Sequence, residues 1–537
     1  MRRWNGWGDE GVDYPLPEAA ARFLTTRTGP TSPPCDVAFE RVAAAVPRSR
    51  LAPHPLVNPD VAVRARYARG QSLPDWIALR GGRVGAFPDG LAFPTDAGQV
   101  RDLIRYAVAT GTQLIPYGGG TSVLGHVNPL ASDGPVLTVS LERLNALRHF
   151  DATSHLATFG AGITGPDLEA ELRARGFTLG HFPQSFEFST LGGWIATRSS
   201  GQQSLGYGRI ERLFAGGRVE SPAGTLGLPA IPASAAGPDL REMILGSEGR
   251  LGIITEATVR VAELPERERF HAVFFPDFER GLDAVRELVQ SRVPLSMLRL
   301  STPVETETTL ILAGHERLIT LLERVLAMRG AGPGKCMLLL GFSGRRTPLA
   351  GARKDAIGIA GKHGGVRLGG AAVGKQWQKG RFRIPYLRNT LWEAGWAVDT
   401  LETATCWSKV PKLLVAVEQA LRTALLDAGE RVHVFTHLSH FYSDGASVYT
   451  TYLFRVAPDA DESLRRWRAL KTAASREILA HGGTISHHHG VGADHAQYLA
   501  AEKGELGVAV LRDVCARFDP QGIMNPGKLL PPPPPPP

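Results

Sequence analysis

Long apolar stretches are missing from this chain of 537 residues. No run of about 18 uncharged apolar residues occurs, which argues against a membrane-spanning helix. The first residues include arginines, but no apolar segment follows them, so a secretory leader is not expected. The sequence therefore predicts a soluble, cytoplasmic protein.

Cysteine is scarce, and its spacing is uninformative for metal chemistry. The four cysteines, Cys35, Cys336, Cys406 and Cys515, lie far apart without a CxxC pair. This argues against a disulfide framework and against a zinc or iron–sulfur site built from cysteine. We expect a reducing compartment.

A concentrated basic run is also missing. Lysine and arginine outnumber aspartate and glutamate by 60 to 52, for a formal net charge of +8, but the surplus is spread along the chain. Aromatic and basic residues are not interleaved in any patch, so no nucleic-acid partner is predicted. A phosphorylated substrate would suit the positive balance.

The first half of the chain is predicted to form an N-terminal extension followed by an α+β unit. Residues 1–75 are rich in proline, arginine and alanine. Within 76–262 helices and strands are interleaved, and an apolar face with end signals predicts a helix over Ala97–Thr110. The strand Gln113–Pro116 is predicted directly after it.

Predicted strands and helices alternate along the second half of the chain. Residues 263–490 predict a substrate-capping domain with a mainly antiparallel sheet and flanking helices. We expect residues 491–530 to return to the active site and to the first unit. The run 531–537 is polyproline, which joins neither sheet nor helix and is predicted to be disordered.

Three glycine-rich segments stand out in the first unit. PYGGGTSV (Pro116–Val123) follows a strand, so its backbone N–H groups could approach a pyrophosphate closely. The second segment, Pro183–Leu213, is rich in small hydroxyl residues, and the third, Gly246–Val261, is a glycine turn running into an apolar strand. Their spacing matches neither the Rossmann nor the P-loop pattern, and none identifies a cofactor singly.

Together these segments resemble the FAD-binding domain of the vanillyl-alcohol-oxidase family over residues 76–262. Within that family the chain resembles the alkylglycerone-phosphate synthases (alkyl-dihydroxyacetonephosphate synthases) over nearly its whole length. SHHHGVG (Ser486–Gly492) discriminates best, because flavin hydroxyacid dehydrogenases tend to have Gly-Glu-His-Gly there. Further matching motifs are RRWNGWG (Arg2–Gly8), GHFPQSFEFSTLGGW (Gly180–Trp194), TRSSG (Thr197–Gly201), YGRIE (Tyr207–Glu211), GSEGRLGIITEAT (Gly246–Thr258), LRL (Leu298–Leu300), YLR (Tyr386–Arg388) and GASVY (Gly445–Tyr449).

The resemblance implies an α+β, vanillyl-alcohol-oxidase type FAD-binding domain joined to the capping domain, with FAD held noncovalently. The residues that it assigns to FAD are Pro116, Tyr117, Gly118, Gly119, Gly120, Thr121, Ser122, Gln184, Ser185, Phe186, Glu187, Phe188, Ser189, Thr190, Gly193, Thr197, Arg198, Ser199, Ser200, Gly201, Glu248, Gly249, Arg250, Leu251, Gly252, Ile253 and Ile254.

Three adjacent histidines, His487, His488 and His489, offer proton transfer or hydrogen bonds to a carbonyl oxygen. In an extended segment His487 and His489 would face one way and His488 the other, which argues against a three-histidine metal site, so no metal is predicted. A structural polar cluster remains an alternative.

The resemblance implies further site residues. Tyr449 matches the family's proton donor and acceptor, although it could be an ordinary strand tyrosine. His181 is placed near the flavin ring. Arg299 and Arg388 match active-site arginines, and Arg388 is the candidate for binding the substrate phosphate in bidentate fashion. Surface salt bridges are the alternative for both arginines.

The implied reaction exchanges the acyl group of acyl-dihydroxyacetone phosphate for a fatty alcohol in ether-lipid synthesis, with no net redox change. The alternatives are an FAD-linked oxidase or dehydrogenase of a 2-hydroxyacid or alcohol, and a flavin-binding module without catalysis. The partners implied are an amphiphilic phosphorylated substrate and a fatty alcohol. Transient contact with a membrane surface and a homodimer are also considered.

Overall fold

The structure is a computed structural model and describes residues 1–312, 316–367 and 372–531. The predicted polyproline tail lies outside the described residues, apart from Pro531. In the described parts the strands are β1 (Val57–Asn58), β2 (Gly90–Ala92), β3 (Gln113–Tyr117), β4 (Val136–Ser140), β5 (Leu147–Asp151), β6 (Leu156–Gly160), β7 (Phe177–Thr178), β8 (Phe214–Ser221), β9 (Gly224–Leu228), β10 (Ile253–Arg260), β11 (Ala262–Glu263), β12 (Arg267–Phe275), β13 (Met297–Ser301), β14 (Cys336–Gly344), β15 (Val366–Arg367), β16 (Trp396–Cys406), β17 (His433–Leu438) and β18 (Gly445–Arg455).

The helices are α1 (Glu18–Thr28), α2 (Phe39–Ala44), α3 (Val61–Arg66), α4 (Leu73–Arg80), α5 (Ala97–Thr110), α6 (Gly165–Arg173), α7 (Leu191–Thr197), α8 (Ser204–Tyr207), α9 (Ile210–Leu213), α10 (Arg241–Ile244), α11 (Phe278–Gln290), α12 (Pro303–Leu312), α13 (Glu316–Met328), α14 (Arg346–Lys362), α15 (Ala372–Gly380), α16 (Ile384–Glu393), α17 (Val410–Thr423), α18 (Ala460–Ala480) and α19 (Leu499–Phe518).

The predicted helix and strand that lead to the first glycine segment are confirmed. The Asp96 side chain caps α5 by accepting a hydrogen bond from the Gln99 amide, and Gly111 ends the helix in the left-handed conformation. Strand β3 follows at Gln113 and ends at Tyr117. The chain therefore enters the glycine turn directly from a buried strand.

Two sheets build the first half of the molecule. One has the order β1-β2-β4-β3, with β4 parallel to both β2 and β3. The other is antiparallel with the order β5-β6-β10-β8-β9. Apolar side chains of α5, α6 and α7 share one buried cluster with both sheets. Parallel and antiparallel pairing with helices interleaved confirms the predicted α+β class.

The second half is organised on a seven-stranded sheet with the order β15-β12-β14-β13-β17-β18-β16. All of its strand pairs are antiparallel, as predicted. Helices α11, α14, α17 and α18 cover it and contribute to a second large buried cluster. No helix among the described residues is both long and apolar enough to span a membrane.

The N-terminal segment packs into both halves. The Arg2 guanidinium donates a hydrogen bond to the Gly119 carbonyl at 2.6 Å. The Trp7 amide donates to the Asn389 side chain on α16 at 3.0 Å, and the Asn389 amide group returns a bond to the Trp7 carbonyl. The segment therefore joins the first glycine turn to α16, the helix that carries Arg388.

Candidate active site

The first two glycine segments are in backbone contact. A Cβ atom on Gly119 would lie 1.8 Å from the Phe188 carbonyl oxygen, and one on Gly118 would lie 2.3 Å from Thr190 Oγ1. No larger residue fits this approach without moving the backbone. Thr190 also caps α7, with its hydroxyl accepting a hydrogen bond from Gly193.

The third segment joins the same cluster. Gly249 has φ +78° and lies against Pro116, where an added Cβ would be 3.0 Å from the proline Cγ. The Glu248 amide donates to the Ala196 carbonyl at 3.0 Å, which ties the segment to the end of α7. The three segments that the sequence placed far apart therefore meet.

This cluster has the features that a bound pyrophosphate requires. Among the described residues, the amide N–H groups of Gly119, Gly120 and Thr121 donate to no protein acceptor. Consecutive amides of this kind at a turn form an anion-binding concavity. The residues present fit the diphosphate of FAD.

Several residues assigned to FAD make contacts within the protein. Leu251, Ile253 and Ile254 are buried in the apolar core, so they could reach a ligand only through their backbone. The Arg198 guanidinium pairs with Glu242 at the surface at 3.0 Å. The Gln184 side chain donates to the Arg381 carbonyl at 2.7 Å.

Other hydroxyl groups in the second segment hold aromatic side chains. Ser189 Oγ accepts from the Trp194 indole at 2.7 Å, and Ser199 Oγ contacts His181 Nε2 at 3.1 Å. His181 is 1% exposed, its Nδ1 has no hydrogen-bond partner, and burial lowers its pKa to about 3. It is therefore neutral at pH 7.

Tyr449 lies in β18, between β17 and the edge strand β16 of the seven-stranded sheet. It is directly opposite Glu402 of β16 and His437 of β17, so the three side chains share one face. Its ring centroid is 6.5 Å from that of His488 and 6.1 Å from that of His489. Burial raises the pKa of Tyr449 to about 12, so it carries its proton at pH 7.

The prediction that His487 and His488 face opposite ways is wrong. The segment that contains them is an irregular loop, because its amides bond to scattered acceptors: the His487 amide to the Glu402 carbonyl, and the Val491 and Gly492 amides to the Glu248 carboxylate. Both imidazoles consequently lie against the Glu402 carboxylate, His487 Nδ1 at 3.2 Å and His488 Nδ1 in direct contact. His489 turns instead toward Tyr449.

The histidines of this cluster are neutral at pH 7. Burial lowers the pKa of His487 and of His488 well below the usual range. It lowers the pKa of His489 to about 4 and that of the neighbouring His440 to about 3. Neutral imidazoles can accept a proton or bind a metal ion through a lone pair.

The two predicted arginines differ in their surroundings. Arg299 forms a partly buried ion pair with Glu305, with its Nη2 2.5 Å from the carboxylate. Burial opposes ionisation of Glu305, but His437 and Arg299 outweigh it and lower the pKa of that carboxyl to about 2. Arg299 therefore already has an anionic partner, and the surface salt bridge considered as an alternative is not found.

Arg388 has no such partner. Its Nη1 donates to the Gln71 carbonyl at 2.8 Å, and its guanidinium lies 4.3 Å from the ring centroid of Trp76. Its Nη2 is buried without an acceptor. Among the described residues no carboxylate forms an ion pair with it, and burial is the main cause that lowers its pKa. An anionic ligand would complete its hydrogen bonds.

Comparison with known proteins gives this site a family. The FAD binding domain family matches residues 88–227, and the family of FAD linked oxidases, C-terminal domain, matches residues 264–529. An alkyldihydroxyacetonephosphate synthase of Dictyostelium discoideum is 32% identical over 88% of this chain and 78% of its own. The chain belongs to the alkyldihydroxyacetonephosphate synthase family.

Further members agree with this assignment. The synthase of Trypanosoma brucei brucei is 28% identical over 98% of this chain and 92% of its own. A solved alkyldihydroxyacetonephosphate synthase structure superimposes with a TM-score of 0.83, at 27% identity and 98% coverage of both chains. The synthase-type resemblance is thereby confirmed, and the chain is an FAD-dependent enzyme.

Three residues of this synthase-family site, Glu402, His440 and Tyr442, had no local signal in the sequence, and a fourth, Arg209, lies in the YGRIE motif but was not assigned a role. Glu402 and His440 contact the histidine loop from β16 and from the turn after β17. Tyr442 OH is 2.5 Å from His487 Nε2, and Arg209 Nη1 is 3.1 Å from the same nitrogen. Their place depends on strand pairing and loop packing, so only the fold could reveal them.

Proposed function

We propose that the chain exchanges the acyl group of acyl-dihydroxyacetone phosphate for a fatty alcohol. In this reaction the bond between the substrate carbon and the carboxylate oxygen breaks, and a bond from that carbon to the alcohol oxygen forms. The carboxylate leaves as a fatty acid and the alcohol loses its proton. The name of the relatives supports this reaction class.

The observation that carries the proposal is the incompletely bonded guanidinium of Arg388, whose Nη2 is buried without an acceptor. Tyr449 is close enough to influence the pKa of Arg388. An arginine fork binds phosphate in bidentate fashion, and a dry pocket strengthens the pairing. Arg388 would thus hold the phosphate while the three-carbon unit extends toward Tyr449.

Tyr449 and the histidine loop would move the protons. Tyr449 is protonated at pH 7 and can donate, and neutral His489 beside it can accept. A bound phosphate would raise the pKa of His489 and make it a better base. His487 and His488 line the same wall but lie against Glu402, so we assign them to holding the loop.

FAD completes the site. When bound, it supplies an oxidised ring that serves as an electrophile toward the substrate carbon. We propose noncovalent binding, with the diphosphate on the Gly118–Thr121 turn and His181 near the ring. Acid precipitation should release the flavin into the supernatant, and flavin retained on the precipitated protein would contradict noncovalent binding.

The remaining partner predictions follow from the amphiphilic substrate. The acyl chain and the alcohol are apolar, so the enzyme would meet them at a membrane surface, from the cytoplasm. A homodimer is retained as a proposal. Co-sedimentation with phosphatidylcholine vesicles and light scattering of the holoenzyme test these two points separately.

The deciding experiment is product formation by the FAD-loaded protein. We would incubate it with acyl-dihydroxyacetone phosphate and labelled hexadecanol, and compare Tyr449→Phe with Tyr452→Phe. Both tyrosines lie in β18, but Tyr452 is fully buried and bonds to Asp399 on the other face. Loss of the Tyr449 proton should lower ether formation about 100-fold or more, whereas Tyr452→Phe should retain it.

Other outcomes separate the alternatives. Flavin bleached by a 2-hydroxyacid, without ether product, would identify a dehydrogenase. Equal ether formation by Tyr449→Phe would remove Tyr449 from the chemistry. A flavin-loaded protein with neither activity would support the silent binding module.

A further inference from the structure

Four side chains with metal-binding atoms converge beside the second glycine segment. Glu402 comes from β16, His440 from the turn after β17, and His487 and His488 from the loop after α18. One ligand atom from each lies within 4.8 Å of all the others. We infer that these four residues bind a divalent transition-metal ion, and that Zn²⁺ fits the three-nitrogen, one-oxygen donor set best.

Three of the six distances between the donor atoms are near those of a tetrahedral site. Glu402 Oε1 is 3.2 Å from His487 Nδ1, which is 3.3 Å from His488 Nδ1. His440 Nε2 is 3.9 Å from Glu402 Oε1. Nitrogen and oxygen ligands bound at about 2.0–2.2 Å to a tetrahedral Zn²⁺ lie roughly 3.3–3.6 Å apart. Small side-chain movements would therefore bring the four donor atoms into tetrahedral positions around one ion.

The ring nitrogens that face away from the cluster are already bonded. His440 Nδ1 is 3.2 Å from Ser200 Oγ, and His487 Nε2 is 2.5 Å from Tyr442 OH. Metal-binding histidines characteristically use one nitrogen for the ion and donate a hydrogen bond from the other. For His487 this requires Tyr442 OH to accept from Nε2 and the contact of Arg209 Nη1 with that nitrogen to open. The arrangement thus leaves His440 Nε2 and His487 Nδ1 directed inward.

The charge balance also favours a cation. Glu402 is buried, and neither of its oxygens accepts a hydrogen bond of acceptable geometry. Its ion-pair contacts in the described part of the chain are all with the three histidines of the cluster, and none is with a lysine or an arginine. A buried carboxylate without a positive partner is costly, and a bound metal ion would supply one.

Four protein ligands make a closed site, so the ion would position the loop rather than bind substrate. It would fix His487 and His488 against the sheet and leave His489 and Tyr449 for proton transfer. Ser200 lies in the TRSSG segment assigned to FAD, so the ion would also link that segment to the capping domain. The inference rests on this geometry and is independent of the proposed reaction.

The first test is metal content of the full-length, FAD-loaded protein. Protein produced with added zinc and passed over chelating resin should retain about one zinc ion per chain by plasma mass spectrometry. His440→Gln should retain less than about a tenth of that. His489→Gln is the matched control, because His489 is adjacent in sequence but outside the ligand set, and it should keep its zinc. Equal zinc in both variants would overturn the assignment.

A second test uses the unaltered protein, so it stands even where a variant does not fold. Chelator-stripped holoenzyme should take up Zn²⁺ in calorimetric titration with one site per chain and should melt at a higher temperature with Zn²⁺ than with Mg²⁺. Co²⁺ should give tetrahedral visible absorption to the red of the flavin bands. No uptake of Zn²⁺ by the stripped protein would refute the site, and the flavin spectrum and the ether assay report on the proposed function separately.

Discussion

The ring of Tyr449 stacks on the imidazole of His437, with ring centroids 4.8 Å apart and planes inclined by 20°. His437 Nδ1 bonds to the Glu305 carboxylate at 2.9 Å, and Arg299 pairs with the same carboxylate. The proposed proton donor is thus linked through two buried side chains to an arginine. Arg299 Nη2 also lies 3.3 Å from His437 Nδ1, so Arg299 contacts both the stacked imidazole and the carboxylate and is a positioning residue in this arrangement.

Replacing His437 should therefore affect turnover more than substrate binding. His437→Gln removes the stacked ring and is expected to lower kcat for ether formation about tenfold, with KM little changed. His433→Gln is the matched control: it is buried in the same strand but bonded to Thr308, away from Tyr449. Initial rates over a substrate series test this, and a rise in KM alone would show that His437 binds substrate.

Replacing Arg388 should affect substrate binding more than turnover. Arg388→Lys keeps the charge but loses the fork of donors, so KM for acyl-dihydroxyacetone phosphate should rise roughly tenfold to a hundredfold. Arg383→Lys, on the exposed residue just before the same helix, should leave KM unchanged. Unchanged KM in both variants would place the phosphate elsewhere.

The close backbone approach at Gly119 predicts that a larger residue there weakens FAD binding. Gly119→Ala would place a Cβ 1.8 Å from the Phe188 carbonyl, so the turn has to move and FAD retention should fall. Gly227→Ala in β9 meets nothing within 4 Å and should retain its FAD. The ratio of flavin to protein absorbance measures this, and full flavin occupancy in Gly119→Ala would contradict the assigned diphosphate site.

Sequence patterns located the parts of this site that depend on local rules. The strand and glycine turn at Gln113–Gly120 follow from periodicity and from the need for close backbone approach. Glu402 could not be found in this way. It meets Tyr449 only because β16 and β18 pair in one particular register, and a strand slipped by one residue would place it on the other face.

The histidine motif shows the same limit. Its composition correctly indicated an enzyme family, but its conformation depends on Glu248, whose carboxylate holds the Val491 and Gly492 amides. Glu248 is 243 residues from Val491. A rule of alternating strand faces could not anticipate a contact at that separation.

The partly buried Asp494 predicts a pH dependence of stability. Burial raises the pKa of Asp494 from 3.8 to about 7. Between these values the folded protein binds more protons than the unfolded chain, so the free energy of unfolding should fall as pH rises from about 4 to about 7, by at most about 4 kcal/mol. The Asp494→Asn variant has no carboxyl at this position, so its free energy of unfolding should not fall in this way.

Melting temperatures of the holoenzyme at pH 5 and pH 8 test this expectation. The advantage of Asp494→Asn over the wild type should be larger at pH 8. The exposed Asp133→Asn should show the same small difference at both values. A larger advantage at pH 5 would show that Asp494 is ionised in the folded protein.

The contacts of Arg2 and Trp7 limit when the chain can finish folding. Trp7 bonds to Asn389, which lies 382 residues later in the chain, and Arg2 closes on the Gly119 turn. During synthesis, Trp7 must wait until α16 has been made before it can dock. The part of the site around α16, which carries Arg388, is therefore completed late in folding, and a partially synthesised chain has no complete phosphate site.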